Sequence, residues 1–198
     1  MTAVVAQITQ SLDGYVTGPD DGPGKGLGEG GERLHYWVFN GPWSYGEAPS
    51  GEASGVDKEI LDEGVGRTGA MIGGRSTYEA AEAWGGENPW GLAFFILTHR
   101  TEDEPSNGAF TFVSGLESAL EQARAAAGGK DVGIMGGADT IRQALAGGYL
   151  DELVVTIAPV VLGGGKRLFE DFDRSVDLQQ VEARQSDWAT HLRYRVKK

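Results

Sequence analysis

The sequence contains no cysteine. Disulfides, thiolate nucleophiles, zinc fingers and iron–sulfur clusters are excluded together. Histidine is nearly absent too: only His35, His99 and His191 occur, so no metal site is expected. Basic residues are few, with 17 Lys and Arg against 29 Asp and Glu, a net charge of −12. No basic cluster is longer than Lys166-Arg167 or Lys197-Lys198. Nucleic-acid binders carry a basic face, and an acidic body repels anionic membranes, so neither partner is expected. No apolar run approaches the ~20 residues of a spanning helix. The residues from Met1 to Val5 lack the basic and apolar regions of a signal peptide. A soluble, cytoplasmic protein is the expectation.

Glycine is in excess, 32 of 198 residues, against a usual share of ~7%. No Gly-x-y period accompanies it, which excludes collagen. The glycines therefore serve turns, close backbone approaches or a flexible loop. With 40% hydrophobic and 23% charged residues, the chain can bury a core, and its length fits a single domain over residues 1–198. A long Gly-rich loop is read at about 13–55, where Pro19, Pro23, Pro42 and Pro49 interrupt the glycines. It also carries His35, Tyr36, Trp37, Phe39, Trp43 and Tyr45, and linkers lack such aromatics. Either it is a loop anchored to the surface by its aromatics, or it is a lid over a ligand site.

Beyond the loop, strands and helices alternate. Strands are expected at Val4–Thr9, Gly69–Gly73, Leu92–Leu97, Phe110–Val113, Asp131–Met135 and Leu153–Val161. Apolar residues at helical spacing mark 56–65, 116–127 and the stretch through Ile141 and Leu145. Ser76 with Glu79 reads as a capping box opening a helix over Thr77–Trp84. The tail, Val176–Ala183 and Thr190–Val196, alternates like two antiparallel strands. The pattern predicts an α/β fold with a mostly parallel central sheet, helices on both faces and an antiparallel C-terminal edge.

Two strand–glycine–helix junctions stand out, Ile72-Gly73-Gly74-Arg75-Ser76-Thr77 and Met135-Gly136-Gly137-Ala138-Asp139-Thr140. Paired glycines allow close backbone approach, and a helix start offers free N–H groups and positive dipole to an anion. A single junction would read as a tight turn; two in one small domain favour a dinucleotide. Gly163-Gly164-Gly165-Lys166-Arg167 fails the phosphate-loop spacing at Arg167, and Gly26 to Gly31 lacks the strand a dinucleotide fingerprint needs. Asp13, in Asp13-Gly14, fits a turn. Asp57 opens a helix, either as a cap or as a pocket carboxylate. Thr98-His99-Arg100 could hold a phosphate or form a solvated loop.

These residues together resemble the dihydrofolate reductase-like superfamily, in particular a standalone branch related to the reductase domain of bacterial riboflavin-biosynthesis enzymes. Ser11-Leu12-Asp13-Gly14 with Gly18 resembles the first strand and the loop over the active site. Ile72 to Glu79 and Ile134 to Ala138 resemble the two glycine junctions. Leu153 to Pro159 with Val161 to Gly165 resembles a strand and loop of the riboflavin branch. The matches run in family order from about Val4 to Phe169.

The resemblance implies a three-layer fold and an NADPH-dependent reductase acting on a small pterin- or ribosylaminopyrimidine-like molecule. Gly74, Arg75, Ser76 and Thr77 would hold the pyrophosphate and adenosine side; Thr98, His99 and Arg100 would flank the 2′-phosphate. Gly136, Gly137, Ala138, Asp139 and Thr140 would meet the pyrophosphate and nicotinamide ribose. Gln7, Ile8, Thr9, Asp13 and Thr156 would line the substrate side, and Asp57 would be the protein-borne general acid. A homodimer is implied, as relatives commonly are. Departures are specific: the riboflavin branch carries Lys where Tyr15 stands and Glu where Met135 stands, and its Ala-Asp-Asn-Pro stretch is replaced by Glu79-Ala80-Ala81-Glu82. Alternatives are the riboflavin-precursor reductase itself, a non-catalytic nucleotide-binding module, and a ligand-sequestering protein whose Trp37, Trp43, Trp84 and Trp90 form an aromatic pocket.

Overall fold

The computed structural model describes residues 2–198; Met1 lies outside the described residues. Eight strands form one sheet in the order β4-β3-β2-β5-β1-β6-β8-β7. The strands are β1 (Val4–Ser11), β2 (Thr68–Gly74), β3 (Ala93–Leu97), β4 (Thr111–Val113), β5 (Asp131–Ile134), β6 (Glu152–Ala158), β7 (Leu178–Gln185) and β8 (Thr190–Val196). All neighbours from β4 to β6 pair in parallel, and β6–β8 and β8–β7 pair antiparallel. The mostly parallel sheet with its antiparallel C-terminal edge is thus the one the sequence pattern predicts.

The helices are α1 (Tyr36–Phe39), α2 (Gly55–Arg67), α3 (Arg75–Ala80), α4 (Leu116–Ala126) and α5 (Ala138–Ala146). Strand alternation decides which side each one covers. Val4 and Ala6 of β1 pack with Ile72 of β2, Ile134 of β5 and the apolar stripes of α4 and α5. Gln7 and Thr9 project the other way, Gln7 beside Gly64 of α2 and Thr9 to Trp37 of α1. Because both faces are covered, the central strands read as continuous apolar runs. In β3, Phe95 joins the α4 side while Phe94 and Ile96 join Met71, Phe110 and Phe112 on the other.

One element differs from its sequence reading. Instead of a capped helix over Thr77–Trp84, α3 starts at Arg75 directly from Gly74 and has no side-chain cap. Glu79 is taken by two arginines rather than by the helix start. Left-handed φ at Glu82, Ala83 and Trp84 ends the helical run and turns Trp84 onto Trp90, Phe94 and Phe110.

The beginning of β2 passes so close to the end of α4 that a Cβ on Gly69 would lie 2.0 Å from the carbonyl oxygen of Ala127. Gly69→Ala should therefore destabilise the protein by roughly 1–3 kcal/mol, read as a lower urea midpoint at unchanged slope. Gly66→Ala, where nothing lies within 4 Å, should leave the midpoint unchanged or raise it.

Candidate active site

Two sets of residues lie toward the C-terminal ends of the parallel strands, on opposite faces of the sheet. The first is the pair of glycine junctions. Because β2 and β5 are neighbours, the N–H of Gly74 donates to the carbonyl of Gly136 (3.1 Å), and that of Met135 donates to Ile72 (2.9 Å). A Cβ on Gly74 would stand 2.8 Å from Thr140 Oγ1, and one on Gly137 3.1 Å from Thr77 Oγ1. Gly136 has φ +75, a left-handed conformation that favours glycine. Ile8 completes this edge, its Cδ1 3.5 Å from where a Gly136 Cβ would be. Both α3 and α5 start from glycine with no side-chain cap, so their first N–H groups are left for a ligand or water. Gly74, Thr77, Gly136, Gly137, Ala138 and Thr140 are thus gathered in one place. Ser76 and Asp139 are exposed at its rim, where Asp139 accepts from Gln143.

Beside this edge lies a ring of four charges. Arg75 Nε donates to Glu79 Oε1 (2.8 Å) and its Nη2 to Asp103 Oδ2 (3.0 Å). Arg100 Nη2 donates to the same Glu79 oxygen (2.9 Å) and lies 3.7 Å from Asp103 through Nε. The Arg75 guanidinium lies 5.0 Å from the Phe112 ring centre. Thr98 is buried and accepts from the Arg100 N–H, whereas His99 is exposed. The two arginines are therefore held in place, with their charge balanced by Glu79 and Asp103.

The second set occupies the other face of the sheet. Thr9, Thr156 and His191 are register partners across β1, β6 and β8. Thr156 Oγ1 is 2.9 Å from His191 Nδ1, and His191 Nε2 is 2.7 Å from Oδ1 of Asp57 in the first turn of α2. Asp57 and His191 are each 2% exposed and Thr156 is fully buried. Trp37 covers the row, donating its indole N–H to Thr9 Oγ1 (3.2 Å) and meeting the His191 ring edge to face. Two open surface clefts lie away from this row, one by α4 and Tyr149, another by the end of α5 and Lys198. The structure brings Asp57 and Thr156 together through His191, while Gln7 faces α2 and Ile8 faces the glycine junctions. Sequence reasoning missed His191. Its only signal was a polar residue on the inward side of a closing strand.

Asp13 stands apart from both sets. Its carboxylate accepts from Ser11 Oγ (2.6 Å) and from the N–H groups of Leu162 (3.1 Å) and Gly163 (2.8 Å). It clips the Gly-rich segment to the loop after β6 rather than lining the buried row. Arg167 reinforces the clip, stacking 4.4 Å from the Tyr15 ring centre and donating to Asp13 O and Tyr15 Oη. The four tryptophans do not form one pocket. Trp37 lies on His191, Trp43 between Phe39 and Tyr45, and Trp84 with Trp90 on Phe94. Among the described residues no group of three or more His, Cys, Asp or Glu could hold a metal ion, and no helix is long and apolar enough to cross a membrane.

Known structures share this fold. A Shewanella sp. PV-4 protein assigned to riboflavin biosynthesis superposes with a TM-score of 0.73 at 23% identity, covering 100% of both chains. Enterococcus faecalis dihydrofolate reductase, solved with NADP(H), gives 0.63 at 18% identity, covering 99% of this chain and 97% of that one. The fold is dihydrofolate reductase-like. Residues 92–192, just over half of the chain, match the family model of the RibD C-terminal domain, and the chain belongs to that family. It is also 27% identical over 124 residues to the uncharacterized protein YwjB of Bacillus subtilis (strain 168), covering 63% of this chain and 71% of that one.

The Ser11 hydroxyl first, then the Gly163 and Leu162 N–H groups, hold the Asp13 carboxyl down to about 2, from an ordinary 3.8. A lowered folded-state value stabilises above the unfolded value and is lost as pH falls through the folded one. Asp13→Asn should therefore lower Tm at neutral pH. The gap to wild type should narrow between about pH 3.8 and 2, in a thermal melt series.

Proposed function

We propose that the chain is a reductase that uses NADPH to transfer a hydride to a small pterin- or ribosylaminopyrimidine-like substrate. The observation that carries this reading is the pair of uncapped, glycine-led helix starts locked together by the Gly74–Gly136 hydrogen bond. Membership of the RibD C-terminal domain family supports it, as does the fold shared with a dihydrofolate reductase solved with NADP(H).

The residues present fit such a cofactor. Gly74 and Gly137 leave open the space that a Cβ would fill against Thr140 and Thr77. The free N–H groups at the start of α5 suit a pyrophosphate. Arg75 and Arg100 are the cations available to an adenosine 2′-phosphate, at the cost of loosening Glu79 and Asp103. When bound, the cofactor supplies the hydride, for which the chain has no group of its own. The chain's part is to bind, to orient and to exclude water. Trp37 and the buried row beneath it close the substrate side. Asp57 is the carboxyl group placed there with the chemistry to hold a proton for the reduced atom.

A second reading makes the substrate 5-amino-6-(5-phosphoribosylamino)uracil itself. Arg167 favours it, because the guanidinium stacked on Tyr15 brings a cation next to the position where the riboflavin branch carries Lys. Turnover of that compound, compared with a dihydropterin, separates the two.

NADPH at about 100 times its Kd should stabilise the protein by about 2.7 kcal/mol, seen as a rise in Tm. Arg100→Ala should weaken NADPH by about tenfold, as loss of a charge-assisted contact does, and leave NADH nearly unchanged. Equal weakening of both would remove Arg100 from the 2′-phosphate, and no Tm shift with either nucleotide would contradict the reductase reading.

A further inference from the structure

Of the two arginines beside the glycine junctions, only one can receive a further anion. A guanidinium holds a phosphate best through two adjacent N–H groups, and its Nε–Nη2 edge offers such a pair. In Arg75 that edge is taken. Nε donates to Glu79 Oε1 (2.8 Å) and Nη2 to Asp103 Oδ2 (3.0 Å). The other edge includes Nη1, which is buried and has no hydrogen-bond partner among the described residues. The guanidinium lies 5.0 Å from the Phe112 ring centre and 5.9 Å from that of Tyr78, contacts that offset part of this loss. The side chain is only 19% exposed. Arg100 differs. It is 57% exposed. Its Nη2 donates to the same Glu79 oxygen (2.9 Å), and its Nε lies 3.7 Å from Asp103 Oδ2, beyond hydrogen-bond range. Its Nη1 is neither buried nor partnered among the described residues. Glu104 does not enter the ring, because it accepts from the Phe112 N–H (2.6 Å). Glu79 Oε1 is therefore the one atom that ties the exposed cation to the locked one. Exposed ion pairs of this kind add little to stability, so their effect falls on what else Arg100 can bind.

Resting on the reductase reading, we propose that Glu79 is a specificity-determining residue for the adenosine end of the cofactor. Its carboxylate competes with the 2′-phosphate for Arg100. It thereby limits the preference for a phosphorylated dinucleotide over an unphosphorylated one. Arg75 has no edge to offer and anchors the ring to the start of α3, holding Glu79 one turn further along. Asp103 faces Arg100 without a hydrogen bond, so its part in the competition is smaller. The cation that reads the phosphate is Arg100, and its bond to Glu79 has to break for both N–H groups of its Nε–Nη2 edge to become available.

The test uses the full chain and compares wild type with Glu79→Gln, with Asp103→Asn, and with Glu79→Gln and Arg100→Ala combined. The probes are NADPH, NADH, adenosine 2′,5′-bisphosphate and adenosine 5′-phosphate, with each Kd read by calorimetry and each variant's fold checked by Tm. Glu79→Gln should bind NADPH and the bisphosphate about fivefold more tightly, the strength of one exposed ion pair. NADH and adenosine 5′-phosphate should hardly change. Asp103→Asn should show a smaller gain in the same direction. With Arg100→Ala added, the gain from Glu79→Gln should vanish, because the carboxylate then has no cation to release. An unchanged NADPH-to-NADH preference in Glu79→Gln at wild-type Tm would overturn the proposal, as would a gain that survives Arg100→Ala. If Glu79→Gln lowers Tm, Asp103→Asn decides, and an unchanged preference there overturns the proposal. If the bisphosphate gain appears but neither candidate substrate oxidises NADPH, the role of Glu79 stands and the reductase reading falls. If NADPH is oxidised and Glu79→Gln keeps the wild-type preference, the reductase reading stands and the role of Glu79 falls. A wild type that binds none of the four probes contradicts both.

Discussion

Across the ends of β2 and β5, the N–H of Gly74 donates to the carbonyl of Gly136. Most of the candidate site depends on that adjacency. Two helices start at these strand ends, and their uncapped N–H groups can meet one ligand only because the strands are neighbours in the sheet. The glycines keep the contact close. Any side chain at Gly74 or Gly137 would press on Thr140 or Thr77, and the left-handed Gly136 turns the chain into α5. Arg75 follows at once from the first junction, so the charge ring with Glu79, Arg100 and Asp103 is tied to the same edge.

The opposite face of β1, β6 and β8 is built by different means. There the row of Thr9, Thr156 and His191 is polar where a core would usually be apolar, and Asp57 reaches it from the first turn of α2. The Gly-rich segment serves as its cover. Its helix α1 brings Trp37 down on His191, while Asp13, Tyr15 and Arg167 anchor the flanking turn to the loop after β6. Glycine therefore does two jobs in this chain: close packing where α3 and α5 start, and turns in a cover that packs inward through Leu34 and Trp37.

The sheet was legible because its central strands are buried on both faces and read as apolar runs punctuated by glycine, as in Ala70 to Gly74 and Val132 to Gly137. Asp57 and the two junctions could be picked out for the same reason, each lying at a helix start that local spacing marks. What local spacing cannot show is pairing across the chain. His191 meets Asp57 over 134 positions, and nothing near either residue announces the other. Glu79 was misread as part of a capping box because the helix pattern is local, whereas its partner Arg100 arrives from the loop after β3. Asp13 likewise fitted a turn or a pocket until the loop after β6 supplied its hydrogen-bond donors.

A crystal structure with bound NADP tests the central claim most directly. The account predicts the pyrophosphate between the Gly74 and Gly137 helix starts, the 2′-phosphate against Arg75 or Arg100, and the nicotinamide ring beside Ile8 and Gly136. A nucleotide bound elsewhere, with the two glycine junctions left to water, would contradict it.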